Sequence, residues 1–336
     1  MRVAVLGAGR IGVRRAELLA AMPEVDEVLL GNRTPARARA VAERVPGVRA
    51  LDLEAALEAP VEAAVVCLAS SEHLPALRRL LARGLPVLCE KPVGLTLAET
   101  EEAMALAARG PGLQVGFQRR FDPGYRAVRE LIGSGGLGTL YSMGMVSLDH
   151  EITPEGFLPS SGGIFRDLLI HDFDLARWLT GREIATVSAR ATVRVDERFR
   201  RHGDADTALV LAVMEDGLPL VVRASRHDPV GHDVRLEVLG SRDSVAVGWS
   251  GRTPIRSLDP DGARPDRPYL TFLERFEAAF RAETEAFVRF ALGRDVNPCP
   301  PESSLEALRA ALAAERSAIS GAPVEVATVE DLPPPG

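Results

Sequence analysis

Lysine is almost absent from this chain of 336 residues. Of its 40 basic residues 39 are arginine, and the one lysine is Lys91. Arginine stays charged in proteins, whereas an ammonium group can shift its pKa and release a proton. An arginine-rich composition suffices for the surface, where either cation would serve. The single retained amine therefore indicates chemistry at residue 91, against the plain alternative that one lysine is kept by chance.

Cysteine is also scarce, and acidic residues outnumber basic ones. Cys67, Cys89 and Cys299 are odd in number and far apart, which argues against a disulfide framework and against a cysteine metal site, and favours a reducing compartment. Histidines and carboxylates do not group as metal ligands either, so we expect no metal. The net charge of −7, with no dense basic run, argues against a nucleic-acid partner.

Long apolar runs are missing as well. No stretch is long enough to span a bilayer, and the opening MRVAVLG leads directly into a strand pattern, so we expect a cytoplasmic protein without a membrane partner. Hydrophobic residues at 46% and charged residues at 26% are typical of a globular chain. The length predicts two domains.

Residues 1–120 alternate short apolar runs with amphipathic stretches, which predicts a parallel, doubly wound α/β sheet of the Rossmann type. The predicted strands are 3–6, 28–30, 63–68, 87–88 and 113–117. The predicted helices between them are 11–21, 35–44, 72–82 and 97–108. We expect this part of the chain to be a dinucleotide-binding domain.

In residues 121–336 the regular alternation of strands and helices ends. Predicted helices lie at 123–132, 164–179, 269–291 and 302–319, and predicted strands at 139–147, 184–195, 207–214, 218–224, 234–239 and 245–249. Strands that follow one another without intervening helices predict an α+β domain with a large, mostly antiparallel sheet. We expect this domain to bind substrate and to mediate oligomerisation, and the proline-rich residues 332–336 to be disordered.

A glycine motif follows the first predicted strand and opens the first predicted helix: Gly7-Ala8-Gly9-Arg10-Ile11-Gly12. Gly7 suits a tight turn, Gly9 lets the backbone approach a pyrophosphate, and Gly12 allows close packing of helix on strand. The helix N-terminus stabilises the negative charge. In this context the motif predicts a dinucleotide site.

The second predicted strand ends in Gly31-Asn32-Arg33-Thr34, where NAD-binding domains usually place an acid that binds the ribose hydroxyls. Asn32 cannot repel a 2′-phosphate, and Arg33 and Thr34 could bind one. The sequence therefore favours NADP over NAD as cofactor, unless Arg33 merely stacks on the adenine.

Lys91 lies in Cys89-Glu90-Lys91-Pro92, just past the predicted strand 87–88. The carboxyl ends of strands line the ligand crevice of open α/β sheets, so we expect the amine beside a nicotinamide ring. Pro92 restricts the backbone of Lys91 and could form a cis bond, which would fix the direction of the side chain.

A second polar group lies on the predicted helix 164–179. Asp167 and His171 are four residues apart and share one face, with Asp174 three residues further on. Imidazole titrates near neutrality, and a carboxylate beside it fixes its orientation and stabilises its charged form. Because the rest of the helix is apolar enough to be buried, we interpret the pair as groups that remove a proton from an alcohol rather than as a surface ion pair.

Together these motifs resemble the family named after glucose-fructose oxidoreductase and inositol dehydrogenase, from residue 1 to about residue 320. The resemblance rests on Gly7 to Gly12, Glu90-Lys91-Pro92, Gly116-Phe117-Gln118-Arg119-Arg120-Phe121, and Asp167 with His171. Within the family the chain is most similar to the inositol 2-dehydrogenases, whose pattern also matches residues 119–125 and the interval from His150 to Asp167.

The resemblance implies hydride transfer between a nicotinamide and a ring carbon of a cyclic polyol or sugar, by a homodimer or homotetramer. It implies a catalytic triad in which His171 is the general base, Asp167 orients it, and Lys91 binds the reacting oxygen. The implied cofactor-binding residues beyond the glycine loop are Asn32, Arg33, Thr34, Ala69, Ser70, His73, Glu90, Lys91 and Gln118. Beside the triad, the implied substrate-binding residues are Arg120, His150 and His232, with Asp149 as a further candidate.

Two departures from the family pattern keep other functions open. Asn32 replaces the ribose-binding acid, and the family's Tyr-Gly-Tyr-Asp segment is Val230-Gly231-His232-Asp233 here. The alternatives to an inositol dehydrogenase are an NADP-dependent reductase or dehydrogenase of an amino- or keto-sugar, a glycosidase with tightly held NAD, and a non-catalytic protein that senses the nucleotide.

Overall fold

The computed structural model describes residues 1–260, 262 and 265–335. The chain forms two compact units, Met1–Gln118 with Phe280–Leu305 and Arg119–Ala279 with Glu306–Gly336. The first change of unit lies close to the boundary expected at residue 120. The segment 280–305, which the sequence pattern assigns to the second domain, packs with the first unit. No helix within the described residues is both long and apolar enough to cross a membrane.

The first unit is built on a parallel sheet. Its strands are β1 (Arg2–Leu6), β2 (Glu27–Asn32), β3 (Val48–Asp52), β4 (Ala63–Val66), β5 (Val87–Glu90) and β6 (Leu113–Gly116). The helices between them are α1 (Arg10–Ala20), α2 (Pro35–Ala42), α3 (Leu53–Glu58), α4 (His73–Ala82) and α5 (Leu97–Ala107). In the described chain the strand order is β3-β2-β1-β4-β5-β6, so the direction of winding reverses between β1 and β4. The predicted doubly wound sheet is confirmed.

The apolar runs of the central strands are buried on both faces, as the sequence pattern predicts. Val3, Val5, Val28 and Val65 are fully buried in one core that also includes Phe287 from the 280–305 segment. Strand β3 and helix α3 are not predicted by the pattern. Strand β3 is at the edge of the sheet and has one buried residue, Val48, so it lacks a continuous apolar run.

The second unit combines helices with a larger sheet. Its strands are β7 (Leu140–Leu148), β8 (Ile184–Thr192), β9 (Thr207–Met214), β10 (Pro219–Ser225), β11 (Asp233–Gly240), β12 (Ser244–Val247) and β13 (Val324–Glu325). Its helices are α6 (Pro123–Gly133), α7 (Leu158–Ser161), α8 (Ile170–Thr180), α9 (Arg198–Arg201) and α10 (Phe272–Arg275). Helices α11 (Glu277–Ala291) and α12 (Glu302–Ser320) each extend across a boundary of the two units.

The described strands of this sheet follow the order β12-β11-β7-β10-β9-β8-β13. Neighbouring strands are antiparallel, except that β7 and β10 are parallel. The predicted α+β unit with a mostly antiparallel sheet is confirmed. Parallel pairing of β7 with β10 brings the carboxyl ends of both strands to the same edge.

Two local features differ from the sequence prediction. The predicted helix 164–179 starts with a π-helical turn, Phe165–Leu169, before α8 begins. The expected disorder of residues 332–336 is contradicted at its start, because Leu332 and Pro333 accept hydrogen bonds from Nη2 of Arg166 at 3.0 and 3.3 Å. Residue 336 lies outside the described residues.

Candidate active site

The glycine loop joins β1 to α1 in the predicted geometry. Gly7 has a φ of +104°, and a Cβ atom there would collide with the carbonyl oxygen of Cys67. A Cβ atom on Gly12 would collide with the carbonyl oxygen of Gly7. At Gly9, by contrast, no described atom lies within 4 Å of an added Cβ. Glycine is therefore needed for the turn and for helix packing, and the backbone at Gly9 is open to a ligand.

Helix α1 begins at Arg10, and no described side chain caps it at Gly9. Uncapped amides at a helix N-terminus carry partial positive charge and bind anions. Arg10 is exposed and Ile11 is half-buried in this first turn. This donor set fits the diphosphate of a nicotinamide dinucleotide.

The end of β2 contains the predicted ribose-binding residues. Oδ1 of Asn32 accepts a hydrogen bond from the Ala8 amide at 2.9 Å, and its Nδ2 donates to the Thr34 carbonyl at 3.0 Å. Asn32 therefore stabilises the glycine loop. Arg33 is exposed and forms an ion pair with Glu72, while Thr34 precedes α2 without capping it through its side chain.

Glu72 is not among the residues that the sequence predicts for the site. It adds a negative charge beside Arg33 at the end of β2. Its carboxylate comes from the 3-10 turn Ser70–Glu72, which follows β4. The pairing with Arg33 joins residues 39 positions apart, so the spacing at the end of β2 could not reveal it. A 2′-phosphate bound by Arg33 would meet this negative charge.

A pocket of the first unit lies beside the Arg33–Glu72 pair. Apolar side chains and charges of both signs line it: Arg33, Asp52, Leu53, Glu54, Leu57, Leu68, Glu72, Pro75, Ala76 and Arg79. Such a mixture suits a flat, largely apolar ring with polar edges.

The residues after β4 have two different roles. Ala69 and Ser70 lie at the carboxyl end of the strand, where the resemblance places cofactor contacts, and Ser70 is buried. His73 is buried, with Nδ1 2.7 Å from the carbonyl oxygen of Pro92 and Nε2 3.2 Å from that of Leu68. Burial lowers the pKa of His73. This geometry supports a structural role for His73, which links the end of β4 to the Lys91–Pro92 turn.

Glu90, the last residue of β5, faces a buried arginine. Its Oε1 accepts hydrogen bonds from Nε and Nη2 of Arg15 on α1, at 3.1 and 2.8 Å. Arg15 also pairs with Glu283 and donates to Oγ1 of Thr284 at 2.8 Å, both on α11. Burial opposes the charge of Arg15, but the two carboxylates outweigh it and its pKa is raised. The Glu90 contacts described here are structural contacts rather than cofactor contacts.

Lys91 follows immediately at the carboxyl end of β5 and is half-buried. The Lys91–Pro92 peptide bond is cis, which confirms the expectation drawn from Pro92. The next residue after the proline is Val93, whose amide donates a hydrogen bond of 3.4 Å to the hydroxyl of Ser304 on α12. The single lysine of the chain thus lies at a strand end that lines the ligand crevice in folds of this type.

Gln118 and Arg120 belong to the 3-10 turn Gln118–Phe121, which follows β6. Gln118 is buried. Arg120 is buried too, and its Nε donates to Oδ2 of Asp174 at 2.8 Å. The predicted role of Arg120 in substrate binding gains no support from this pairing, because its guanidinium holds α8 to the turn.

Asp167 and His171 lie on the helical segment that the sequence predicts, although the backbone is π-helical at Asp167 and α-helical at His171. Single π-helical turns are frequent at functional sites. His171 is 9% exposed. Oδ2 of Asp167 accepts a hydrogen bond of 2.7 Å from Nη1 of Arg226, which the sequence pattern does not single out.

The remaining predicted substrate ligands lie in two adjoining loops of the second unit. Nδ1 of His150 is 2.9 Å from the Asp228 carbonyl oxygen, and Nδ1 of His232 is 3.5 Å from Oδ1 of Asp149. Asp149 and His150 follow β7, and the Asp149 amide donates to the carbonyl of Ser225 at 3.0 Å. His232 directly precedes β11, and the antiparallel pairing of β11 with β7, in which Asp233 lies opposite Leu148, brings it to Asp149 beside His150.

Each unit therefore presents part of the chemistry of a dehydrogenase. The first has an anion-binding loop and a lone amine at strand ends of one sheet. The second has an imidazole and a carboxylate on one helical segment. The glycine loop of the first unit can bind a diphosphate, and the imidazole of the second unit can accept a proton.

Two family models match the chain. The model described as "Oxidoreductase family, NAD-binding Rossmann fold" matches residues 1–117. The model described as "GFO/IDH/MocA C-terminal domain" matches residues 125–246.

Individual proteins are similar over nearly the whole length. Myo-inositol dehydrogenase Hyg17 from Streptomyces leeuwenhoekii is 38% identical, over 96% of this chain and 98% of that protein. A myo-inositol dehydrogenase from Corynebacterium glutamicum superposes with a TM-score of 0.85 at 30% identity, over 97% of this chain and 98% of that one. A scyllo-inositol dehydrogenase from Lactobacillus casei with bound NAD(H) and scyllo-inositol superposes with a TM-score of 0.86 at 27% identity, over 98% and 99%. The chain is an NAD(P)-dependent dehydrogenase that belongs to the GFO/IDH/MocA family.

Proposed function

We propose that this chain oxidises a ring CH–OH group of a cyclic polyol of the inositol class, reversibly, with a nicotinamide dinucleotide. The observation that carries the proposal is the position of the single lysine, Lys91, at the carboxyl end of β5. The relatives named as inositol dehydrogenases support the substrate class.

The proposed mechanism assigns one task to each polar group. His171 accepts the proton of the reacting hydroxyl, and Asp167 orients the imidazole and stabilises its charged form. Lys91 donates a hydrogen bond to the same oxygen and stabilises the negative charge that develops there. A bound nicotinamide supplies the hydride acceptor. His150 and His232, with Asp149, bind neighbouring hydroxyls of the ring.

For the cofactor, we propose NADP as the preferred dinucleotide and NAD as a second substrate. Asn32 carries no charge, and its amide is bound within the loop, so the end of β2 has no acid to repel a 2′-phosphate. Arg33 is exposed and can bind that phosphate. The Glu72 carboxylate on Arg33 opposes the preference, and the NAD(H) complex of the Lactobacillus casei relative is consistent with retained use of NAD.

The test is an initial-rate survey with NAD and NADP against myo-inositol, scyllo-inositol, hexoses and amino-sugars. We expect the highest kcat/KM for an inositol, and a higher kcat/KM for NADP than for NAD. Turnover of amino- or keto-sugars alone would contradict the substrate class. Release of reducing sugar without net cofactor reduction would indicate glycoside hydrolysis, and dinucleotide binding without any turnover would indicate a sensor.

We also propose that the protein is a homodimer or homotetramer. Leu209, Leu211 and Val221 are 54%, 50% and 51% exposed on one face of the large sheet, and Val221 pairs directly with Leu211. Apolar clusters of this kind mark interfaces, and closed symmetric assemblies are the usual form. In light scattering after size exclusion, we expect an assembly that L211E with V221E dissociates, whereas L258E, at an exposed site outside the sheet, does not. A monomeric wild-type protein would contradict this proposal.

A further inference from the structure

Arg226 is a buried charge that the proposed reaction does not yet use. It directly follows β10, its side chain is 2% exposed, and its backbone amide donates to the carbonyl of Asp206 at 2.7 Å. A buried guanidinium is costly unless it has charged or hydrogen-bonding partners. Its partners therefore indicate why the charge is retained.

Two carboxylates face the guanidinium from different segments. Nη1 donates to Oδ2 of Asp167 in the π-helical turn at 2.7 Å, and Nη2 lies 3.9 Å from Oδ2 of Asp204, which precedes β9. Among the described residues, Nη1 is the guanidinium nitrogen with a hydrogen-bond partner, since Nε and Nη2 have none. The directional contact of this buried group is thus the one to Asp167.

Asp204 connects the same arginine to the start of the helical segment. Its Oδ1 accepts hydrogen bonds from the amides of Ile164 and Ala205, at 2.9 and 2.7 Å. Ile164 is the residue before the π-helical turn. The turn that carries Asp167 is therefore held both by the Asp167 carboxylate and by the backbone amide just before the turn, through groups that meet at Arg226.

The charges around Arg226 keep it protonated. Burial opposes its charge, but Asp167, Asp204 and Asp149, the acids that face it from the π-helical turn, the β9 loop and the end of β7, outweigh burial and raise its pKa. Burial raises the pKa of Asp204, and its Oδ2 lies 3.9 Å from Nη2 of Arg226 without a hydrogen bond. The Asp167 side chain is 17% exposed.

We propose that Arg226 is a positioning residue for the proposed reaction: it holds the Asp167 carboxylate ionised and in one orientation, so that this carboxylate can orient His171. The inference rests on the proposed function. A functional ion pair and one that merely holds a helix to a strand end predict different results. Only the functional pair changes the pH dependence of the reaction through the general base, His171.

The test compares Arg226→Met, Arg226→Lys, Asp167→Asn and the control Arg109→Met in the full-length protein. Arg109 is exposed and lies in the first unit, outside the proposed site and the proposed interface. The readouts are kcat and kcat/KM against pH for oxidation of myo-inositol, the dissociation constant of NADH from fluorescence, and the thermal unfolding midpoint.

We expect Arg226→Met to lower kcat about 10- to 100-fold, with NADH affinity unchanged within about twofold. Loss of a positive charge raises the pKa of nearby titratable groups, so the acidic limb of the kcat/KM profile should move to higher pH, by about 0.5–1 unit. Arg226→Lys should lose part of kcat and keep the limb in place, because it keeps the charge but loses the planar fork. Arg109→Met should behave as wild type.

Wild-type turnover and an unmoved acidic limb in Arg226→Met, together with an inactive Asp167→Asn, would overturn the inference and leave the proposed function standing. If Asp167→Asn itself keeps full turnover, the proposed function fails first. If Arg226→Met does not fold, Arg226→Lys decides, and full wild-type kcat in that variant overturns the inference.

Discussion

Arg15 on α1 binds Glu90, the residue immediately before Lys91, through two nitrogens at 3.1 and 2.8 Å. Glycine packing places α1 directly on the nucleotide loop, and the same helix therefore also fixes the strand end that carries the lysine. The glycine loop and the amine of Lys91 thus share one support. Glu283 from α11 completes this support from a distant part of the sequence.

Replacing Arg15 should test how much this support contributes to stability. Arg15→Met leaves Glu90 and Glu283 buried without their guanidinium, so we expect the free energy of unfolding to fall by about 3–5 kcal/mol. The neighbouring Arg14→Met, on the same helix, should change it by less than about 0.5 kcal/mol. Urea denaturation followed by circular dichroism measures both. Equal effects of the two substitutions would contradict the predicted role of the buried cluster.

Replacing the lysine should separate binding from turnover. In Lys91→Arg the side chain keeps its positive charge but loses the compact ammonium that the mechanism requires, so we expect kcat to fall about 10²- to 10⁴-fold. The NADH dissociation constant should stay within about threefold, since the glycine loop is unchanged. Arg109→Lys, an exposed site that adds a second lysine, is the control. Near-normal turnover of Lys91→Arg would remove the basis of the proposed function.

Glu72 should set the balance between the two dinucleotides. Glu72→Gln removes the carboxylate that pairs with Arg33, so we expect the ratio of kcat/KM for NADP to that for NAD to rise about tenfold. Arg33→Ala should lower the same ratio. Glu54→Gln removes another carboxylate of the same pocket, which is paired with Arg79 instead, and should leave the ratio nearly unchanged. The prediction fails if Glu72→Gln and Glu54→Gln shift the ratio equally.

His73 should make stability depend on pH. Burial lowers the pKa of His73 in the folded state, whereas in the unfolded chain it is about 6.5. The unfolded state then binds the proton more readily, so the contribution of His73 is present above about pH 6.5 and is lost as the pH falls through its folded-state pKa.

The difference in free energy of unfolding between wild type and His73→Asn should therefore shrink as the pH is lowered from 7.5 to 5.5. Urea denaturation at three pH values measures this difference. Ser71→Ala, at an exposed site two residues earlier that has no titratable side chain, is the control and should show no such narrowing. A constant difference between wild type and His73→Asn would show that His73 has no shifted titration.

The sequence predicts what local patterns encode. Continuous apolar runs identify the buried strands, and the glycine spacing identifies the turn, because both depend on neighbouring residues. Local patterns do not predict strand β3, because an edge strand buries too little to need an apolar run. Local patterns miss Glu72 and Arg226 for another reason. The partner of Glu72 is 39 residues away in the sequence, and the partner of Arg226 is 59 residues away.

His73 and Arg120 show the same limit, because the sequence nominates each of them for a role that its contacts do not support. His73 resembles a cofactor ligand in sequence, but its two ring nitrogens both face backbone carbonyls that only the folded chain brings near. Arg120 likewise resembles a substrate ligand and is bound by Asp174, 54 residues later. Residue type and spacing can nominate a polar side chain, but they do not show which partner it contacts.

The π-helical turn at Phe165–Leu169 contains one residue more per hydrogen-bonded ring than the α-helix that follows it. Deleting one residue there would restore an uninterrupted α-helix and a better backbone ladder. It would also turn everything before the deletion by about 100° around the helix axis relative to His171. The irregularity thus sets the angle around the helix axis between the Asp167 carboxylate and the His171 imidazole, and a fully regular helix would change that angle.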